Sequence, residues 1–350
     1  MKARENTKRI ALGNTSIGGR DHVLIQSMCN IKTSRYEEVA AQINRCASLG
    51  AEAMRMSVLD ESDAYAFKEL KARTSIPLIA DIHFSYKFAL IALSSGADAV
   101  RINPGNIGSI EGIRQVVALA KEKKAPIRVG VNSGSIDKSI YYGKDIIGAE
   151  ILVASAKKHV EILEKEDFHD IVISLKGSDV LETIEAYRLA SKAFPYPLHL
   201  GITEAGPKDI GLIRSTAGLA PLLLEGIGDT IRISLSEEPE EEIKACCRLL
   251  HDLGMYPNYP TFISCPTCGR TQVDLVPTAK EIEAYLEEKR KPLTVAVMGC
   301  VVNGPGEARH ADIGAAGGNG RWVVFSKGEV LYECSNDEIV RKLKEEIDKR

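Results

Sequence analysis

Between residues 23 and 254 short aliphatic and β-branched runs alternate with longer stretches whose apolar positions return every three to four residues. The runs are VLIQSM (23–28), AEAMRMSV (51–58), PLIADIHF (77–84), AVRINP (99–104), PIRVGVN (126–132), DIVISLK (170–176), PLHLGIT (197–203) and DTIRISLS (229–236). The intervening stretches read as amphipathic helices. In TSRYEEVAAQINRCASLG, Ser34 and Glu37 have capping-box spacing and Gly50 stands at the stop. EPEEEIKACCRLLHDLG, after the eighth run, places acids in its first turn and Gly254 at its end. Strands alternating with helices predict right-handed βαβ units and a parallel sheet. Eight units fit a closed (β/α)8 TIM barrel, which typically takes about 250 residues, better than a doubly wound sheet. No G-x-G-x-x-G follows an early strand, and there is no P-loop. Residues 1–22 read as a small hairpin closing the barrel's bottom.

The rhythm stops near Tyr256, where Pro257, Pro260 and Pro266 mark a linker and the entry to a second domain. Beyond it the pattern predicts a helix over about 279–289, a strand at PLTVAVMG and a hairpin around WVVFSKGEVLYE. A terminal helix runs from Asn336. The Gly-rich GAAGGNG (314–320) reads as a turn before the WVVFSK strand rather than a phosphate loop. The predicted fold class is therefore α/β, a TIM barrel followed by a small α+β domain. So small a core usually needs a metal or a partner surface.

Composition narrows the function. With 44% hydrophobic and 27% charged residues the 350-residue chain can form full cores. Forty-five Lys and Arg against 48 Asp and Glu, a net −3, argue against a general nucleic-acid binder. No run approaches the roughly 18 apolar residues of a membrane span. MKARENTKRIALG lacks the apolar region of a secretory signal, so the chain reads as cytoplasmic. Its eight cysteines are then expected to be core packing, metal ligands or catalysts rather than disulfides.

Cys265-Pro-Thr-Cys268 and the later Cys300 in MGCVVNGPGEA carry the metal signal. Cysteines at i and i+3 can place both sulfurs on one metal or cluster, and the glycines after Cys300 let backbone approach it closely. Spacing alone leaves zinc, with Cys334 or His310 as fourth ligand, and iron–sulfur open. Cys46, Cys246 and Cys247 fall in helical patterns and Cys29 ends the first strand; all four read as packing. Cys334 stays undecided.

Chemistry in such barrels sits at the C-terminal strand ends. The runs bring there Arg55, Arg101, Arg128, Lys176 and Arg232, against Asp81 and Glu204. Arg55 with Ser57, Asp81 with His83, Arg101 with Asn103, Arg128 with Asn132 and Arg232 with Ser234 each share one strand face. Five bases over two acids leave three positive charges in a confined mouth. Buried unpaired charge is costly, so the expected ligand is an anion. Arginine's planar fork suits phosphate oxygens. Singly, each arginine reads as a salt bridge to a neighbouring carboxylate, and His83 and His199 as core histidines, with the Asp81–His83 pairing lifting His83 to a candidate.

CPTCGRT followed by MGCVVNGPGEA, behind a barrel bearing ADIHF, VRINPGNIG, IRVGVNSGS and GITEAG, resembles the 4-hydroxy-3-methylbut-2-enyl diphosphate synthase family over nearly the whole chain. The resemblance implies a substrate-binding barrel over 1–256 and a cluster domain over 257–350. It also implies a [4Fe–4S] cluster on Cys265, Cys268 and Cys300, with Glu307 as fourth ligand. The implied reaction is reductive ring opening and dehydroxylation of 2-C-methyl-D-erythritol 2,4-cyclodiphosphate, with electrons from flavodoxin or ferredoxin. Family members are homodimers in which one subunit's cluster domain closes over the other's barrel. The positions matching the family's pocket are Arg55, Asp81, His83, Arg101, Arg128, Asn132, Lys176, Glu204, Arg232 and Ser234, with Asn303 beside the cluster. Asp81, His83 and Glu204 are the candidates for proton handling. Two readings stand against this one. One is a phosphosugar aldolase- or isomerase-type barrel using Lys176 covalently, with a structural zinc domain. The other is a non-catalytic zinc-ribbon module on an inert barrel.

Overall fold

The computed structural model describes residues 3–83, 85–103, 107–132, 148–177, 179–300 and 308–350. The chain divides into two compact units, Met1–Met255 and Tyr256–Arg350.

In the first unit a hairpin of β1 (Ile10–Leu12) and β2 (Thr15–Ile17) precedes eight parallel strands. These are β3 (Leu24–Met28), β4 (Ala53–Val58), β5 (Leu78–Ile82), β6 (Ala99–Ile102), β7 (Ile127–Asn132), β8 (Ile171–Lys176), β9 (His199–Leu200) and β10 (Thr230–Ile231). Their order is β8-β7-β6-β5-β4-β3-β10-β9. A bridge between Ile173 and Leu198, with Ile173 N–H donating to the Pro197 carbonyl at 2.9 Å, closes the ring. The helices between strands are α1 (Tyr36–Ser48), α2 (Glu61–Tyr65), α3 (Phe67–Arg73), α4 (Tyr86–Ser94), α5 (Ile110–Lys123), α6 (Gly148–Lys165), α7 (Val180–Ala193) and α8 (Lys208–Leu224). The last, α9 (Pro239–Asp252), follows β10. Ile10, Leu12 and Ile17 of the hairpin pack under Leu24, Ala53, Ile79, Ala99 and Val172, near the N-terminal ends of five strands, and plug the bottom as expected.

Two local expectations change. The Ser34–Glu37 capping box is not formed, because α1 begins one residue later, with Arg35 at its cap. Ser34 N–H instead donates to Asp63 Oδ1 at 2.8 Å, and the fully buried Asp63 also takes the Leu59 N–H. A tertiary contact sets the helix entry there. The seventh and eighth runs also yield only two ladder residues each. After β9, Glu204 (φ 54°) and Gly206 (φ 101°) take left-handed backbone that no strand continues through.

In the second unit β11 (Thr261–Ser264), β12 (Thr294–Met298) and β13 (Ile313–Gly318) run parallel; β14 (Arg321–Ser326) and β15 (Glu329–Ser335) follow antiparallel. Helices α10 (Leu275–Lys289) and α11 (Ile339–Lys349) supply Ile282, Leu286, Leu343 and Ile347 to a core around Trp322. Most of GAAGGNG is strand, with the turn confined to Asn319 and Gly320. Its small residues are there for packing: a Cβ on Gly314 would meet the cross-strand Phe325 ring at 2.4 Å.

Candidate functional site

The ladder explains why the barrel's charges meet. Asp81 is level with Ser57 on one side and Arg101 on the other, Arg101 with Arg128, and Asn132 with Lys176. Asp81 is 3% exposed and shared by two guanidiniums: Arg55 Nε lies 3.3 Å from Oδ2, and Arg101 Nη1 lies 3.3 Å from Oδ1. Burial opposes ionisation of Asp81, but Arg55, Arg101 and Arg128 together outweigh it and hold the carboxyl below its ordinary range. Arg101 Nη1 also donates to His83 Nε2 at 3.1 Å. Arginine has no acceptor to offer, so the ring proton sits on Nδ1, which faces Asp81 Oδ1 at 4.0 Å. The His83 side chain is 44% exposed and reachable by a ligand.

The remaining bases are less well compensated. Arg128 Nη1 donates to Gln26 Oε1 at 3.3 Å, while its buried Nε has no hydrogen-bond partner. Burial, then the charges of Arg55 and Arg101, press Arg128 well below its ordinary value. A guanidinium keeps its proton, so the direction marks a buried charge that the pocket does not fully balance. Lys176 is pressed down in the same way by burial and then by Arg55, Arg232, Arg128 and Arg101. Arg101 and Lys176 are given room by missing side chains. A Cβ on Gly130 would fall 2.5 Å from Arg101 Nε, and one on Gly201 would fall 3.0 Å from Lys176 Nζ. Arg232 is fixed by Glu242 of α9, which accepts from Nε and Nη2 at 2.9 Å each. Met28 Sδ lies 2.9 Å from Arg55 Nη2 and 3.7 Å from Arg232 Nη1.

The second acid facing the bases is therefore Glu242. Glu204 is exposed on its left-handed turn, and among the described residues no ion pair joins it to the five bases. The surplus of three positive charges survives, with Glu242 in Glu204's place in the sum. Asn132 ends β7 and Ser234 follows β10, both half-buried. Asn303 and Glu307 lie outside the described residues. Glu242, Gln26 and Met28 were not singled out by sequence reasoning. Glu242 carried a readable signal: it precedes Cys246 by four, on the stripe of α9 that also buries Ile243 and Leu250.

In the second unit Cys265 follows β11, and Cys300 lies two residues past β12, its parallel neighbour. Gly299 N–H donates to Cys265 Sγ at 3.2 Å, and backbone and side-chain groups of Arg270 hold the exposed Cys268 thiol below its ordinary value. Among the described residues no three His, Cys, Asp or Glu side chains converge on a single metal ion. The donor chemistry still fits an iron–sulfur cluster: soft sulfurs at adjacent strand ends, with backbone N–H groups turned toward sulfur. The fourth ligands of a zinc site are badly placed. Cys334 is 3% exposed in the Trp322 core on β15, three strands from β12. His310 precedes β13 by three residues, at the end of the sheet opposite Cys300. Cys334 is packing. Its replacement by serine should leave iron content unchanged and cost about 1–3 kcal/mol for the buried hydroxyl, read as a lowered urea midpoint. Cys29, Cys46, Cys246 and Cys247 are buried in the barrel unit, and burial pushes the Cys29 thiol up to about 12.

The described GcpE TIM-barrel domain model matches residues 7–247, and the GcpE protein C-terminal domain model matches 261–349. The chain belongs to the GcpE family. It is 50% identical over 346 residues to a 4-hydroxy-3-methylbut-2-en-1-yl diphosphate synthase (flavodoxin) of Shouchella clausii, covering 99% of this chain and 94% of that one. Proteins of the same description from Bacillus subtilis (50%; 99% and 92% covered) and Clostridium perfringens (51%; 97% and 97%) are equally similar. Among solved structures, dihydropteroate synthase from Stenotrophomonas maltophilia matches with a TM-score of 0.55 at 14% identity, covering 71% of this chain and 97% of that one. Phospho-2-dehydro-3-deoxyheptonate aldolase from Thermotoga maritima reaches 0.52 at 12%, covering 73% and 75%. These two likenesses show the barrel fold alone.

Proposed function

We propose that the chain is an oxidoreductase that converts 2-C-methyl-D-erythritol 2,4-cyclodiphosphate to 4-hydroxy-3-methylbut-2-en-1-yl diphosphate, the product named with its GcpE relatives. One ring C–O bond to the diphosphate breaks and the hydroxyl leaves as water. Counted on the neutral acids, two electrons and two protons enter. The observation that carries the reading is the strand-end pocket: five bases against two buried carboxylates, a charge deficit that a cyclic diphosphate fills.

Arg101, Arg128, Lys176, Arg55 and Arg232 bind the diphosphate oxygens and withdraw charge from the breaking C–O bond. Asn132 and Ser234 offer neutral donors at the pocket edge. Asp81, held ionised by three guanidiniums, is an anchor for Arg55 and Arg101 rather than an acid. His83, half-exposed beside Asp81 and Arg101, is better placed than Asp81 to hand a proton to the leaving hydroxyl. It does so once it has taken up a second ring proton, since the neutral ring that accepts from Arg101 is not itself an acid. Glu204, in left-handed backbone just past the end of β9, is the other candidate for proton handling. Cys265, Cys268 and Cys300 would hold a [4Fe–4S] cluster; Glu307 and Asn303, the fourth ligand and neighbour that the family resemblance implies, lie outside the described residues. When bound, the cluster would relay the donor's electrons and offer Lewis acidity for the C–O cleavage. Flavodoxin, named with the relatives, is the donor in this reading.

The chain acts in the cytoplasm and as a homodimer in which one copy's cluster domain covers the other's barrel mouth. Exposed Ile110, Leu181, Ile210 and Ile213, in the first two turns of helices that start at the strand-end face, support a partner surface there. No described helix is long and apolar enough to cross a membrane. The test is anaerobic purification followed by iron and sulfide analysis and assay with a low-potential reductant. About four iron and four sulfide per chain, and product formed only with reductant, are expected. Iron-free protein with full activity would overturn the reading.

A further inference from the structure

We infer that Glu242 is a positioning residue for the anion pocket, holding the Arg232 guanidinium in the one orientation that turns Nη1 toward the ligand. The inference rests on the diphosphate reading of the pocket and adds a residue that reading does not contain.

Glu242 is 2% exposed although it comes from the first turn of α9, outside the ring of strands. Its carboxylate accepts four hydrogen bonds. Arg232 gives two, Nε to Oε2 and Nη2 to Oε1, both 2.9 Å. The Ser27 hydroxyl of β3 gives a third, to Oε2, and Leu235 N–H gives the fourth, to Oε1 at 3.0 Å. Arg232 thus has one edge of its fork wholly committed, and the nitrogen left over is Nη1, which lies 3.7 Å from Met28 Sδ. The same sulfur touches Arg55 Nε and Nη2 at 3.2 and 2.9 Å. A thioether is a weak acceptor, so Arg232 Nη1 and Arg55 Nη2 border one spot with little to satisfy them, while Arg55 Nε also faces Asp81. An oxyanion seated there would complete both forks. β10 ends at Ile231, and the Arg232 backbone is still tied to β9 by its N–H donating to the Leu200 carbonyl at 3.0 Å, but that bond leaves the guanidinium's orientation open. The Glu242 carboxylate sets that orientation, itself bound by Ser27 and Leu235.

Charge alone argues the opposite way. Glu242 subtracts from the pocket's positive surplus, and its removal should strengthen anion binding through Coulomb attraction. Positioning predicts weaker binding, because a freed Arg232 loses its preorganised geometry and must be ordered on each binding event. The two roles therefore differ in sign.

The experiment measures binding of inorganic diphosphate to the full-length anaerobic protein by calorimetry, for wild type, Glu242→Gln, Arg232→Ala and the double variant. Positioning predicts that Glu242→Gln weakens binding about tenfold, and that it adds nothing further once Arg232 is alanine, since the two act as one unit. Equal or tighter binding by Glu242→Gln, or a loss that persists undiminished in the Arg232→Ala background, would overturn it. Ser27→Ala removes one anchor without changing charge and serves if Glu242→Gln fails to fold. It should weaken binding in the same direction by a smaller factor, and wild-type affinity in that variant would also count against the inference. Failure of the wild-type protein to bind diphosphate is a different result, because it removes the pocket reading itself.

Discussion

Serine at position 300 should abolish turnover and strip iron from the protein while leaving the barrel's diphosphate binding unchanged. Cys300 is nearly buried at the exit of β12, beside the exit of β11 that carries Cys265. Thiolate is the form that binds a cluster, and a serine hydroxyl does not ionise near neutral pH, so the replacement offers a neutral, hard oxygen where a soft anion is needed. Losing a group that merely orients a metal ligand can cost 10–100-fold, so losing a ligand itself should reduce product formation by at least about a hundredfold. Iron and sulfide analysis beside calorimetry with inorganic diphosphate separates the two units. The bases proposed to bind the anion all belong to the unit Met1–Met255, and Cys300 belongs to the other. Full iron with full activity in Cys300→Ser would remove these cysteines from the reaction.

The contrast with Cys334 shows what spacing along a chain can and cannot report. Cys265 and Cys268 announce themselves because the turn between them is short enough to aim two sulfurs at one place. Cys300 is legible because it follows a strand and precedes glycines. Nothing local separated Cys334 from them; only strand order did, by putting it on β15 at the far side of the sheet. The barrel strands were legible for a similar reason: a parallel strand buried on both faces needs an unbroken aliphatic run, and eight such runs are hard to mistake. Their charged residues stood out as exceptions within those runs, and period-two spacing told which ones share a face.

What stayed hidden came from tertiary contacts whose partners no local pattern names, even where, as at Glu242, the pattern marks a buried position. Glu242 is one of three consecutive glutamates, and three acids in a first turn look like dipole compensation until one is seen to be buried against an arginine. Met28 carries no local mark of a role, and its sulfur matters only because β4 and the segment just past β10 both bring a guanidinium to it. Strand β11 was masked by the prolines around it, being only four residues long. Ser34 has capping-box chemistry on paper, and Asp63 from another helix takes its backbone instead. In each case long-range partners overrode a sound local rule, as expected where a functional pocket demands an unusual arrangement of charge.

Asparagine at position 81 should be the most destabilising single change among the pocket residues, and added inorganic diphosphate should repair much of the damage. Asp81 is buried, and it is the carboxylate that Arg55 and Arg101 share, with Arg128 also close enough to depress its proton affinity. The amide keeps the shape and removes the charge. Arg55, Arg101, Arg128 and Lys176 then stand together with only Glu242, already committed to Arg232, to offset them. Removing one partner of a buried ion pair costs about 3–5 kcal/mol. For a unit of this size that is a fall in melting temperature on the order of 10 °C. Because the folded carboxyl is depressed, its contribution is complete above the ordinary carboxylate value near 4 and is lost as the pH falls through the lower folded value. The gap between wild type and Asp81→Asn should therefore be widest at neutral pH and close progressively below about pH 4. A diphosphate in the pocket returns the missing negative charge, so the variant's melting temperature should rise with ligand concentration more steeply than that of the wild type. Thermal melts at two pH values, with and without inorganic diphosphate, check all of this together. A variant as stable as wild type at neutral pH, or one indifferent to diphosphate, would mean that the strand-end bases do not form the uncompensated anion pocket on which the proposed chemistry depends.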